Sequence, residues 1–309
     1  MQNVSPIINA GTPQPRARPA CPTIAAMPAP VCSIDLPAPE MLARTLAERL
    51  PAFQDIAWTG STGSTNADLL ARARSGAGAG KPWLLGTHLQ ETGRGRAGRP
   101  WQNRSGSTLM FSCAFDVHLP APQLAALSPL AGVAACEALR AVAGPAARGL
   151  CMKWPNDIQW HDAKLAGILV ETTRNPGGRD TGYTVVIGMG VNLVDAADLS
   201  LALGREIADW TQVQAGAAHT AVAADLVCAS ATAWHEAVRT LEREGFGAFR
   251  QRFDQVDALA GRKVNVLDKG VILLSGTACG VDEQGRLLVQ TPEGATPISV
   301  GEISIRRQA

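Results

Sequence analysis

The chain has 309 residues, 46% of them hydrophobic, and a formal net charge of +1. That length suits one large domain, or a large one with a small one, around a real core. A charge this close to zero excludes the global electrostatic pull that carries proteins to nucleic acid or anionic membranes.

Residues 1–36 are rich in proline, alanine and small polar residues and hold no apolar core of signal type. They are expected to form a disordered or loosely attached tail, with too little ordered chain for a DNA-reading winged helix. Order is expected from Pro39, where Met41, Leu42, Leu46 and Leu50 recur at helical spacing until Pro51. A strand, Ile56–Thr59, precedes a run of Gly, Ser and Thr that ends at Ser64, Thr65 and Asn66. These three abut Ala67-Asp68-Leu69-Leu70 and read as a helix N-cap. The same hydroxyls and free N–H groups also suit a neutral polar ligand group or an anion. The helix is expected to end in the glycines at 76, 78 and 80.

Gln90 to Trp101 reads Gln-Glu-Thr-Gly-Arg-Gly-Arg-Ala-Gly-Arg-Pro-Trp, with Gly93, Gly95 and Gly98 alternating with Arg94, Arg96 and Arg99. Glycine lets a backbone approach a ligand closely, and each arginine offers a forked donor to carboxylate or phosphate. Two readings fit: a solvated basic loop, or a flexible loop that an anion orders by relieving the repulsion among its arginines. The stretch matches Gly-x-Gly-x-x-Gly, and Trp83–Leu89 is a plausible strand before it. No helical period follows Gly98, so the dinucleotide fingerprint lacks its helix and is set aside.

Thr108–Phe115 reads as a buried strand and Leu124–Val142 as a core helix. The apolar segment 124–147 is interrupted by Glu137 and Arg140, so no run of membrane-spanning length is expected. Within Cys151–Trp160, the Pro-Asn-Asp turn brings Lys153 and Asp157 to one end of a hairpin. Asp157 is then half of an ordinary surface ion pair, a Mg²⁺ ligand, or the group that orders a neighbouring lysine. Lys164–Glu171 reads as a strand buried on both faces with a lysine at its mouth, either snorkelling or functional. A turn at Asn175–Gly178 leads to Tyr183–Leu193, which returns antiparallel, with Gly188 and Gly190 leaving gaps beside their neighbours. Residues 221–253 read as one long helical region with Val222, Leu226, Ala233, Trp234, Val238 and Leu241 on its inner face. His219 and His235 fit no metal spacing, and seven scattered cysteines without a Cys-x-x-Cys pair point to reduced thiols in a cytoplasmic compartment. Short strands with turn residues between them, from Lys263 to Arg306, suggest a small SH3-like barrel.

Taken together, Gly-Arg-Gly-Arg-Ala-Gly-Arg (93–99), Lys-Trp-Pro-Asn-Asp-Ile (153–158), Lys-Leu-Ala-Gly-Ile-Leu-Val-Glu (164–171), Gly-Met-Gly-Val-Asn-Leu (188–193) and Gly-Glu-Ile-Ser-Ile-Arg (301–306) resemble the biotin protein ligases in order and spacing. The resemblance implies an α+β fold: a mixed, largely antiparallel sheet with flanking helices, like that of class II aminoacyl-tRNA synthetases, plus a C-terminal SH3-like β-barrel. It implies a catalytic domain over 37–258 and the barrel over 259–309. Some members add an N-terminal DNA-binding winged helix, which this chain is expected to lack.

The implied activity is a biotin–[biotin carboxyl-carrier protein] ligase that uses ATP and Mg²⁺. The implied partner is the biotin carboxyl carrier protein of acetyl-CoA carboxylase, with neither DNA nor membrane and with a homodimer left open. By the same resemblance, Ser64, Thr65, Asn66, Gln90, Arg94, Gly95, Arg96 and Lys164 bind biotin, and Arg99, Lys153, Asn192, Trp210 and Arg306 bind the nucleotide. Lys164, Arg96 and Asp157 are the implied catalytic residues, with Asp157 also the metal ligand. Ala97 and Pro100 stand where many relatives carry basic residues. A lipoate or octanoate ligase of the same superfamily and a non-enzymatic biotin-sensing regulator are the alternatives.

Overall fold

In the structure, a computed structural model, residues 36–76, 80–176, 182–213, 219–299 and 304–307 are described. The expected tail therefore lies outside the described residues except for its last position, as does most of the turn after Asn175.

Seven strands form the main sheet: β1 (Asp55–Thr62), β2 (Trp83–Gln90), β3 (Thr108–Val117), β4 (Leu150–Lys153), β5 (Asp157–Trp160), β6 (Ala163–Arg174) and β7 (Tyr183–Asn192). Their spatial order is β1-β2-β3-β7-β6-β5-β4. Only β1 and β2 run parallel, so the sheet is mixed and largely antiparallel, as expected. Its helices are α1 (Pro39–Arg49), α2 (Thr65–Ser75), α3 (Leu127–Ala143), α4 (Ala196–Leu203), α5 (Trp210–Val213), α6 (His219–Glu244) and α7 (Arg250–Val256). A second, antiparallel sheet follows: β8 (Lys263–Asp268), β9 (Val271–Val281), β10 (Leu287–Thr291), β11 (Gly294–Ile298) and β12 (Ser304–Arg307), in the order β11-β10-β9-β8-β12.

Local chemistry explains the element that matters most for the site. Ser64 is extended and its side chain accepts from the Ala67 N–H, which starts α2, and Gly76 ends it with φ 67°. The second Ser-Thr copy is thus the cap, while Ser61 and Thr62 belong to β1. The helix α3 is apolar nearly all round and buries 12 of its 17 residues, each large one contributing about 1.5–3 kcal/mol.

Several expectations need correction. With the 3-10 turn before it, α3 spans Ala121–Ala143 and is long and apolar enough to cross a membrane. The two charges do not interrupt it, because they are satisfied near its end: Glu137 pairs with Arg252, and Arg140 donates to the Leu150 and Gln255 carbonyls. Its apolar window is 72% buried inside the protein, which makes it a core helix. Met41 is 63% exposed, since the inner face of α1 runs through Leu42 and Leu46. The long helical region breaks at Gly245 (φ 72°) into α6 and α7, and Ala233 is only half-buried. The strand β6 is not buried on both faces throughout: β5 stops at Asp157, paired with Gly167, so residues 169–174 open outward.

The C-terminal sheet is fastened to the main body through the β4–β5 turn. Trp154, 1% exposed, donates its indole N–H to the Gly285 carbonyl at 3.0 Å. The Ala258 N–H donates to the Met152 carbonyl at 3.0 Å, and Arg250 donates to the Val281 carbonyl. Asp257 lies at this joint. One carboxylate oxygen accepts the Leu259 N–H at 2.8 Å, and the other is buried without a partner among the described residues. Burial pushes its carboxyl up to about 6, the Leu259 N–H opposes this, and Asp254 adds to it.

A raised folded-state carboxyl binds its proton more tightly in the native state. Stability therefore falls as pH rises through the window from the ordinary carboxyl value to about 6. Asp257→Asn removes the buried charge. It should raise the melting temperature at pH 7.5, and the gain should vanish near pH 4; equal gains at both values would show that the charge is not the cause.

Candidate active site

A cavity of about 550 Å³ opens where the start of α2, the arginine loop, the β4–β5 turn, β6, β7, the turn after α4 and β12 converge. Its lining is chemically divided. One region is neutral and hydrogen-bonding. The Gln90 side-chain carbonyl accepts the Thr65 N–H at 2.9 Å, at the free N-terminus of α2. Thr65 Oγ1 lies 2.6 Å from Ser112 Oγ, and Ser112 donates to Asn66 Oδ1 at 2.6 Å. Thr65, Asn66 and Ser112 are all buried, so these bonds act in a low-dielectric setting.

Two glycines account for the floor. Gly167 and Gly190 face each other across β6 and β7. The Trp101 indole lies over them: a Cβ on Gly190 would sit 2.6 Å from its ring, and one on Gly167 3.1 Å. The gap expected at Gly188 is filled by Asn66 and Ser112. The Trp101 Nε1–H is buried and has no hydrogen-bond partner among the described residues.

The other region is cationic. Arg94, Arg96, Arg99, Lys153, Lys164, Arg205 and Arg306 line the cavity, and Asp157 is its one lining carboxylate among the described residues. Lys164 donates to Asp157 Oδ1 at 2.6 Å, and its ammonium lies 5.5 Å from the centre of the Trp101 ring. Lys153 is the register partner of Asp157, so the hairpin does bring the two together. The Lys164 backbone is fixed as well: its N–H donates to the Glu206 carbonyl, and its carbonyl accepts from the Ala208 N–H and the Asn192 amide.

The arginine loop has its own framework. The Gly95 N–H donates to the Arg99 carbonyl at 2.8 Å and the Trp101 N–H to the Gly93 carbonyl at 2.9 Å, around a turn where Ala97 and Gly98 both take positive φ. Arg94 pairs with Glu171 at 3.3 Å, and Arg96 donates to the Asn156 side-chain carbonyl at 3.3 Å. Burial lowers the Arg96 guanidinium from its ordinary value; Asp157 opposes the shift and Arg99 adds to it. The group stays cationic, but it is a desolvated cation suited to an incoming anion.

Of the residues singled out from sequence, Ser64, Thr65, Asn66, Gln90, Arg94, Gly95, Arg96, Arg99, Lys153, Asp157, Lys164 and Arg306 all line this cavity. Trp210 and Asn192 do not. Trp210 is 1% exposed in the core, and the Asn192 amide is occupied by the Lys164 and Ala208 carbonyls, which gives it a framing role. Sequence reasoning missed Ser112, Asn156, Glu171 and Arg205, and named Trp101 only as the loop's last residue. Asp157, already bonded to Lys164, offers a cation one carboxylate, and no cluster of three or more His, Cys, Asp or Glu forms a metal site among the described residues.

Comparison with known proteins identifies the family. Residues 62–192 match the biotin/lipoate A/B protein ligase family, and residues 260–306 match the biotin protein ligase C-terminal domain. The chain is 32% identical to the biotin–[acetyl-CoA-carboxylase] ligase of Paracoccus denitrificans over 78% of its own length and 97% of that protein's. It is 31% identical to the Mycobacterium tuberculosis enzyme of the same name over 78% and 85%. It is 30% identical to the bifunctional ligase/repressor BirA of Escherichia coli over 70% of its length, and spans only 64% of that protein. The biotin protein ligase of Aquifex aeolicus, solved in complex with biotin and ATP, has the same fold, with a TM-score of 0.65 at 23% identity over 83% of this chain and all of that one. The chain thus belongs to the biotin/lipoate A/B protein ligase family, with the biotin protein ligase C-terminal domain as its second sheet.

Proposed function

We propose that the protein joins biotin to a lysine of a biotin carboxyl carrier protein in two steps, within a catalytic domain spanning 37–258 and an SH3-like domain spanning 259–309. The carrying observation is the divided cavity: neutral donors and acceptors at one region suit a ureido group, and the cations suit a carboxylate meeting a triphosphate. In the first step a biotin carboxylate oxygen bonds to the α-phosphorus of ATP. The bond to the β-phosphate bridging oxygen breaks, and pyrophosphate leaves. In the second the carrier amine attacks the acyl carbon, AMP leaves with the bonding pair, and the amine loses a proton.

Two anions must approach each other in the first step. Lys164, held by Asp157, sits where an ammonium can touch both. Arg96, Arg99, Lys153 and Arg306 offset the phosphate charge, and Asp157 would be the residue to hold Mg²⁺, which would supply further charge neutralisation on the phosphates. Arg94, through Glu171, and Arg96, through Asn156, keep the loop against the sheet and water away from the mixed anhydride. Five free thiols among the described residues accord with a cytoplasmic setting.

Pyrophosphate release from ATP should require biotin and not respond to lipoate or octanoate; a response to either acid in place of biotin would assign a different substrate class. Lys164→Ala should lower that release by about a hundredfold or more with an unchanged circular dichroism spectrum. Release at the native rate would leave the lysine a structural role only. Arg96→Gly should let the adenylate escape, read as biotin on bystander lysines, and tight retention would refute the loop's protective role.

A further inference from the structure

The geometry points to Glu171 as a positioning residue that fixes both the polarity of the neutral region and the seat of the arginine loop. It does not line the cavity, yet it is bonded to one lining residue of the neutral region and one of the cationic region. Oε2 accepts from the Asn66 side-chain amide at 2.9 Å, and Oε1 accepts from Arg94 at 3.3 Å. Its side chain is 27% exposed and Asn66 is 4% exposed, so the Asn66 bond is well shielded from water.

An ionised carboxylate can only accept, and so can a backbone carbonyl. Asn66 Nδ2 faces both, Glu171 Oε2 at 2.9 Å and the Leu169 carbonyl at 3.2 Å. The amide is therefore locked with its nitrogen towards β6 and its oxygen towards Ser112. Ser112, with one proton, spends it on Asn66 Oδ1 and must accept from Thr65 Oγ1 at 2.6 Å. The Gln90 carbonyl is then met chiefly by the Thr65 N–H. The Glu171 carboxylate, the shorter of the two contacts, and the Leu169 carbonyl beside it on β6 thus set the direction of the hydrogen bonds from Asn66 to Thr65, and with it the pattern of donors and acceptors that the cavity presents. The same carboxylate neutralises the first arginine of the loop. The lone ordering role expected for a bound anion is thereby shared with a residue of the chain itself.

This inference rests on the proposed biotin chemistry for its functional arm but not for its structural one. Two substitutions separate the two duties. Glu171→Gln keeps an acceptor for Asn66 and removes the charge facing Arg94. Glu171→Leu removes both. In the ligand-free protein, both variants should speed amide hydrogen exchange in residues 92–101, and unchanged exchange would overturn the latch whether or not biotin is the substrate. With biotin, the Gln variant should bind within about threefold of the native affinity, while the Leu variant should bind about tenfold or more weakly. Both should show several-fold more biotin on bystander lysines. Equal weakening of biotin binding by the two, or native binding by the Leu variant, would show that Glu171 does not set the amide. Failure of the native protein to bind biotin, with loop exchange still altered, would fault the proposed function and leave the latch standing.

Discussion

Among the described residues, seven positive side chains converge on one cavity with a single carboxylate in its wall, and no isolated segment of chain would hold them there. Two like charges 4 Å apart repel by about 1 kcal/mol in bulk water and by about 4 kcal/mol near a protein surface. The fold offsets this by fixing several of the contributors to something rigid. Lys164 is pinned by backbone bonds on two sides and by Asp157. Arg94 and Arg96 are tied to β6 and to the β4–β5 turn through Glu171 and Asn156. Arg306 arrives on β12, whose sheet is locked to the same turn by Trp154. The stability of the core is thus converted into a standing demand for negative charge at one place.

The neutral region depends on a different economy. Thr65, Asn66 and Ser112 are buried, Gln90 is half-buried, and their groups are almost wholly satisfied by one another, so the region binds through orientation and not through charge. It borders the cationic region across Trp101, whose ring faces the Lys164 ammonium. A ligand with a polar neutral head and an anionic tail matches that sequence of surfaces, whereas a purely aliphatic acid offers the first region no polar group to orient.

What could be read from the sequence was whatever local chemistry encodes. The N-cap at Ser64, the glycine stop at Gly76, the hairpin that pairs Lys153 with Asp157 and the short C-terminal strands all follow from residues close together in the chain. Ser112 and Glu171 could not be found that way. Each looks like an ordinary strand residue until the register of β3, β7 and β6 brings them to Asn66, 46 and 105 positions away. Trp210 and Asn192 show the converse. A tryptophan or an asparagine beside a motif suggests ligand contact, and only the folded chain shows that one is buried in the core and the other is bonded to the carbonyls of residues 164 and 208. Charges at Glu137 and Arg140 suggested an interrupted apolar run within the core helix because their distant partners were invisible.

The paired glycines beneath Trp101 carry one more implication. Side chains can swing between rotamers to admit a thicker guest, but main chain in the middle of a sheet cannot. Because the indole rests directly on peptide planes, the depth of that berth is a fixed gauge, set by strand spacing alone. Even a single methyl group on Gly190 would evict the ring, so the seat of the indole that walls the cavity is held by main chain with no room to give.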